Sequence, residues 1–265
     1  MKKIVLGKEQ VEQIYNDYYQ GMSLTALEKK YGIERHKLSR NLKEQGYEIT
    51  KRKHPVNEAF FDEIDTEEKA YWLGFLAADG CNDDHRRTIL INLNERDIDH
   101  LKKFRTAINS DAEITSVAGA GYGEGTTLSR ITIYSARLCD ALTKHQVPPR
   151  KSNILQPPNI NPAFYKHWIR GYLDGDGSVY ISNDCAYLAF VGTKEVLNFI
   201  INYFKPGEQH ALYARHPELN KNNFQFSFGG NVSVIRYLHQ IYDGATVYLE
   251  RKYQKVLEIY GRFEK

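Results

Sequence analysis

The stretch WIRGYLDGDGSVY, Trp168–Tyr180, ends an apolar helical pattern with two aspartates, Asp174 and Asp176, set among three glycines. Glycine inside a helix costs about 1 kcal/mol against alanine. The C-terminal end of a helix dipole disfavours negative charge. A glycine inside the helix, Gly171, and acids at its C-terminal end are therefore both poorly placed for an ordinary helix. A second stretch, YWLGFLAADGCN at Tyr71–Asn82, has the same form. At an offset of 97 residues Gly74 matches Gly171, Ala78 matches Gly175, and Asp79-Gly80 matches Asp176-Gly177.

The recurrence extends outward. A helix expected from a cap at Asp65 or Thr66 runs through EEKAYWLGFLAA. Its counterpart, capped by Asn161 with Pro162 first, runs through AFYKHWIRGYLDG. TILINLNERDIDHLKKF (88–104) matches AYLAFVGTKEVLNFI (186–200) in type and order. SRITIYS (129–135) matches FQFSFGG (224–230), and VPPRKS (147–152) matches YLERKY (248–253). A period near 100 residues is too long for a solenoid unit. It is the length of a half-domain, and it predicts two halves packed about a pseudo-twofold axis.

On this reading small residues four apart form a smooth stripe, which lets two helices approach backbone to backbone. Parallel packing across the axis brings Asp79 and Asp176 together. Two carboxylates at close range repel unless one is protonated or a cation lies between them. Oxygen-only ligands suit a hard cation such as Mg²⁺. One Asp-Gly pair alone is an ordinary turn signal; two at equivalent places in a repeat point to function.

The 265-residue chain has room for one large domain or two modest ones. No apolar run nears the roughly 20 residues of a membrane helix, and MKKIVLGK does not read as a secretory signal. The three cysteines, Cys81, Cys139 and Cys185, form no Cys-x-x-Cys pair. An intracellular, reducing setting is expected, with no membrane partner. Of the net charge of +3, residues 1–56 carry +5 and the remainder −2. That basic head predicts an anionic partner, although a solvated surface has the same composition. Residues 8–46 read as three short helices, with Ser23 capping the second and Gly32 and Gly46 ending the second and third. The third carries Leu38 and Leu42 inside and Arg35, His36, Lys37 and Arg40 outside. This is the pattern of a helix-turn-helix whose last helix enters the major groove. A three-helix bundle with a solvated basic face is the alternative. TKRKHPVNE, Thr50–Glu58, reads as a basic linker.

WLGFLAADG and IRGYLDGDG resemble the two nine-residue motifs of the single-chain LAGLIDADG homing endonucleases, the second more fully. The first departs at Ala77, where the second copy has Asp174. The resemblance implies an α+β fold of two pseudo-symmetric αββαββα halves. Their antiparallel sheets form a saddle over double-stranded DNA with a long, specific target site. It implies site-specific, Mg²⁺- or Mn²⁺-dependent cleavage of both strands by a monomer. Asp79 and Asp176, with the carbonyls of Ala78 and Gly175, would hold the cations. Lys151 and Lys252 match the active-site lysine, with their neighbours Arg150 and Arg251 left open for that role. Asp174 has no assigned role. The expected organisation is a helix-turn-helix domain at 1–49, a linker at 50–59, a first half at 60–158 and a second at 159–265.

The strands read as half-buried. Arg130, Thr132 and Tyr134 alternate with Ile131 and Ile133, and Asn92 and Asn94 with Ile91 and Leu93. Tyr180 and Ser182 alternate with Val179 and Ile181, and Gln225 and Ser227 with phenylalanines. These polar groups suit base edges in a major groove, and equally a solvated sheet face. GAGYGEGTT, Gly119–Thr127, reads as a loop that orders on DNA. Other readings are a regulator on this scaffold without cleavage, against which both retained acids speak, and an intron maturase. An intein is disfavoured by the chain ends. A nuclease of the PD-(D/E)xK type built on Asp243, Glu250 and Lys252 rests on a short, common pattern.

Overall fold

The structure, a computed structural model, describes residues 6–20, 22, 24–47, 49, 54–119, 125–205, 207–208, 210–215, 218 and 222–264. Ser23, residues 50–53 of the expected linker and residues 120–124 of the glycine-rich loop lie outside the described residues.

Three helices come first: α1 (Lys8–Tyr19), α2 (Leu24–Tyr31) and α3 (Arg35–Glu44). They close over their own apolar cluster of Leu6, Val11, Ile14, Tyr18, Leu27, Leu38 and Leu42. Gly32 (φ +66°) and Gly46 (φ +86°) sit in the left-handed region that ends a helix. The end of α1 meets the body through Tyr19, whose hydroxyl donates to Asp140 Oδ2 at 2.9 Å, and through Gln20, which accepts from Arg137.

The body repeats one αββαββα order twice. The first copy is α4 (Glu67–Ala78), β1 (Gly80–Asp83), β2 (Thr88–Asn94), α5 (Ile98–Ala107), β3 (Ile114–Ala118), β4 (Thr127–Tyr134) and α6 (Ala136–Lys144). The second is α7 (Tyr165–Asp176), β5 (Ser178–Ser182), β6 (Cys185–Gly192), α8 (Lys194–Phe204), β7 (Tyr213–Ala214), β8 (Phe224–Gly229) and α9 (Asn231–Tyr242), followed by α10 (Glu250–Phe263). Each half has one four-stranded antiparallel sheet, ordered β1-β2-β4-β3 and β5-β6-β8-β7. The fold is thus mixed α+β with an internal repeat.

Thr66 caps α4, accepting from Lys69 N at 3.3 Å. Before α7, Asn161 caps a 3₁₀ turn, Pro162–Phe164, rather than the α-helix itself. Residues Ala70–Ala78 of α4 are buried on every side, as expected of a helix at the centre of a domain. Buried residues of both sheets and both central helices form one continuous core. Among the described residues no helix is long and apolar enough to cross a membrane.

Candidate active site

The site begins with the packing of α4 on α7. A Cβ built on Gly171 would lie 2.9 Å from Tyr71 C and Phe75 N, and closer still to Tyr71 O. One built on Gly74 would lie 2.8 Å from Trp168 C and closer to Trp168 O. Tyr71 and Trp168 are themselves equivalent in the repeat, so the two contacts exchange under the pseudo-twofold. Further along, a Cβ on Gly175 would meet that of Ala78 and lie 3.3 Å from Asp79 N. The helices therefore run parallel, with their C-terminal ends together. The final glycine of each stretch is equally constrained. A Cβ on Gly80 would lie 2.7 Å from Leu76 O, and one on Gly177 2.7 Å from Leu173 O.

This packing delivers Asp79, the C-cap of α4, and Asp176, the last residue of α7, to one place. Their tips reach solvent at the helix ends, yet the surrounding protein withdraws much of their water. That desolvation, followed by repulsion from Asp176, raises the Asp79 pKa to about 6; Lys252, Lys151 and Arg251 oppose the rise. The Asp176 pKa is also raised by desolvation, against Lys151, Lys252 and Arg215.

Both lysines come to these helix ends. Lys151 follows Arg150, which adopts a left-handed φ of 54°, and donates to Ala78 O at 2.7 Å. Lys252, in the first turn of α10, donates to Leu173 O, Asp174 O and Gly177 O at 2.7 Å each and to Gly175 O at 3.1 Å. The ammonium groups thus satisfy the carbonyls a helix terminus leaves over and offset its dipole. Desolvation lowers both pKa values, Lys252 to about 8. Both lysines oppose the raised pKa values of Asp79 and Asp176, and buried Asp174 acts most strongly on Lys252. Each lysine bonds to carbonyls at the helix end of its own half. The arginines diverge: Arg251 pairs with Asp97 at 3.1 Å, and Arg150 is exposed, 3.7 Å from Asp84.

Asp174 has a clear place. Its fully buried carboxylate accepts from Tyr71 OH at 2.7 Å, Tyr242 OH at 2.9 Å and Leu249 N at 2.7 Å. It ties α4, α9 and the start of α10 together and so positions Lys252. Arg170, also buried, spans the same interface, donating to Glu67 Oε1 at 2.5 Å, Ile241 O at 2.5 Å and Val247 O at 2.9 Å. Neither role is written locally, because the partners come from distant segments. A cavity of about 190 Å³ opens beside Asp176, lined in part by Lys151, Tyr172, Arg215 and Asn223. Arg215 is a cation near the acids that motif reading misses.

Among the described residues no group of three or more His, Cys, Asp or Glu side chains is placed to hold a metal ion. The donor set is two mutually repelling carboxylates and main-chain oxygens, which suits a hard cation. The carbonyls of Ala78 and Gly175 already accept from the lysines, each with a second lone pair remaining.

The sheet positions expected to face outward do so. Arg130 and Asn92 are cross-strand partners, with Nε donating to Oδ1 at 2.8 Å. Asn94 instead caps the following 3₁₀ turn by accepting from Arg96 N at 3.2 Å. Thr132 and Tyr134 are half-exposed, and Ser182, Gln225 and Ser227 are exposed. Tyr180 is 40% exposed and stacks on Tyr187 at 5.1 Å between ring centroids. On α3, Arg35, His36 and Arg40 are exposed, while Lys37 donates to Glu34 at 2.6 Å.

No family model and no curated protein matches the chain. Among solved structures, the LAGLIDADG meganuclease I-AabMI bound to uncleaved DNA has a TM-score of 0.47 at 13% identity, over 72% of this chain and 88% of that one. The homing endonuclease I-GzeII in complex with its DNA target has a TM-score of 0.45 at 12% identity, over 74% and 99%. Full-length WhiA from Thermatoga maritima has a TM-score of 0.48 at 15% identity, over 77% of this chain and 64% of that one.

Proposed function

We propose that the chain is a site-specific, metal-dependent double-strand DNA endonuclease of the LAGLIDADG homing type, acting as a monomer, with a DNA-binding helix-turn-helix head at 1–49. The observation that carries this reading is the pair Asp79 and Asp176, brought together at the ends of two parallel helices, with a lysine on the carbonyls of each helix end. Charge crowding of that kind is costly to a fold and clusters at functional sites.

Asp79 and Asp176 would hold Mg²⁺ or Mn²⁺ with help from the Ala78 and Gly175 carbonyls, shared with the lysines. Bound there, the cation supplies an activated water and neutralises charge on the leaving oxygen. The chain's own residues do the rest. Asp79 and Asp176 concentrate negative charge at a place the helix dipoles disfavour. Lys151 and Lys252 keep positive charge beside it, aimed at a phosphate as it gains charge. One acid and one lysine per centre give one cut per strand. Arg35, His36, Lys37 and Arg40 would contact DNA from the head, and Asn92, Arg130, Thr132, Tyr134, Tyr180, Ser182, Gln225 and Ser227 from the sheets. Asn94 is the weakest of the proposed contacts, because its side-chain oxygen is already engaged as a cap.

Incubation with a library of duplex sites and Mg²⁺ tests this. Double-strand cutting is expected, lost in Asp79→Asn and Asp176→Asn with binding retained. Specific binding by the wild type without metal-dependent cutting would instead identify a regulator on this scaffold.

A further inference from the structure

The two ends of the chain fill equivalent corners of the two halves. β1 leaves Asp79 and spans only Gly80–Asp83 before its turn, residues 84–87, so that turn is the end of the first sheet away from the acids. At about 3.3 Å per residue it lies roughly 15 Å along the strand from Asp79. Arg87 of the turn donates to Asp140 Oδ1, and to Ala136 O at 3.1 Å, which binds the turn to α6. Through its other oxygen the same Asp140 accepts from Tyr19 at the end of α1. Beside it Arg137 donates to Gln20 and to both oxygens of Asp62, the Nε bond being 3.2 Å. The head is thus held at the outer corner of the first half by side chains that are themselves braced.

In the second half that corner is closed by the other end of the chain. Asp184, which matches Arg87 at the offset of 97, accepts from Arg262 in the last turn of α10. His239 of α9 stacks on Tyr260 at 4.4 Å between ring centroids, and its Nε2 lies 2.9 Å from Glu264 Oε1. With SRITIYS set on FQFSFGG, Val232 and Ile235 stand where α6 has Arg137 and Asp140, so neither polar docking group is repeated. The body therefore offers the head one place, not two. Docking uses the end of α1 and leaves Arg35, His36 and Arg40 of α3 exposed.

We propose that the head is a fixed extension of the first half that contacts DNA beyond the outer end of that half-site, so that the protein covers a longer stretch on one side of the cut than on the other. This rests on the DNA-binding reading above. Tyr19, Gln20, Arg137 and Asp140 are then positioning residues, which act through α3 by setting where it meets the duplex. A head on a loose tether meets DNA at a range of distances. A docked head meets it at one distance and one rotational setting, with less freedom left to lose on binding. The basic side chains of α3 add phosphate contacts on that flank only, and with them a one-sided gain in affinity.

The test uses the full chain on a duplex site selected from a randomised library in Ca²⁺ buffer, so that binding is read without cutting. Hydroxyl-radical footprinting should show protection running about one helical turn further on one side of the centre than on the other. Arg35→Ala with Arg40→Ala should erase that extra protection and leave the rest. Tethered cleavage then assigns the sides. With Cys81 and Cys185 changed to serine, an iron–EDTA group on Lys43→Cys of α3 should cut the longer flank, and one on Ser227→Cys of β8 the opposite side of the centre; both positions are exposed. Five base pairs inserted between core and flank rotate the flank by half a helical turn, and should weaken wild-type binding as much as Arg35→Ala with Arg40→Ala does. Tyr19→Phe with Arg137→Ala should make binding indifferent to the insertion, which a loss of stability alone would not do. A footprint of equal length on both sides, cutting from α3 on the same side as β8, or wild-type binding that ignores the insertion overturns this inference and leaves the endonuclease reading standing. Failure to recover any specific DNA site overturns both.

Discussion

Gly171→Ala sets two physical effects against each other in one residue. Alanine is the better helix former by about 1 kcal/mol, so propensity alone predicts a more stable protein. The packing predicts the reverse. The added Cβ would lie 2.9 Å from Tyr71 C and Phe75 N, where carbon contacts settle at about 3.5–4.0 Å. The atoms it meets are backbone, so no rotamer change relieves the overlap and α4 must move away from α7. Overpacking of this kind costs about 1–3 kcal/mol when side chains can yield, and more when they cannot. Setting roughly 3 kcal/mol of overlap against 1 of propensity leaves a net loss of about 2 kcal/mol. For a chain of this size that is a fall of about 4–8 °C in Tm. Gly261→Ala in α10 is the control, since a Cβ there meets nothing within 4 Å. It should gain up to about 1 kcal/mol. Thermal unfolding by circular dichroism reads both. If Gly171→Ala is as stable as wild type, or if the two variants shift together, close approach at the axis is not what the glycines provide.

Lys252→Met removes the donor to four carbonyls and the cation that most offsets buried Asp174, so a loss of about 3–5 kcal/mol is expected in urea unfolding. Lys151→Met breaks one such bond and should cost clearly less; equal losses would contradict the asymmetry. Asp79 has a folded pKa of about 6 against an ordinary 3.8, so the folded state binds its proton first as pH falls. Wild-type stability relative to Asp79→Asn should therefore rise from pH 7 to pH 4, a trend checked by unfolding midpoints across that window. Deleting residues 1–56 should weaken DNA binding and flatten its dependence on salt in fluorescence anisotropy; an unchanged salt slope would mean the head touches no phosphate.

The repeat was legible because its markers are local. Thr66 is a cap by composition, Gly74 and Gly171 are unusual inside a helix pattern, and the Asp-Gly pairs at 79–80 and 176–177 recur at the same offset. The acids followed from the repeat alone. Lys151 and Lys252 were matched by resemblance, but spacing alone left Arg150 and Arg251 open, because neighbours in sequence leave a turn in different directions. Arg251 finds Asp97, far away in the chain. Asp174 stayed unexplained because its partners Tyr71, Tyr242 and Leu249 lie in three separate segments. Asn94 was read by strand alternation, although Asn followed by Glu-Arg-Asp is also a cap signal, and the cap won. The Arg130–Asn92 bond needed the strand register, which alternation does not supply.

The hydroxyl that Tyr71 donates to Asp174 also makes the halves mutually dependent. The residue equivalent to Tyr71 in the second half is Trp168, which has no hydroxyl, and the residue equivalent to Asp174 in the first is Ala77. A dimer of two second halves would bury two aspartates, each short of that donor. A dimer of two first halves would leave each tyrosine hydroxyl with His100 of its own half, 3.0 Å away, and with no carboxylate. The pairing of two second halves takes one donor from each buried aspartate, a loss felt most where water cannot substitute. The Tyr71–Asp174 bond thus favours partners within one chain over two copies of the second half on neighbouring molecules.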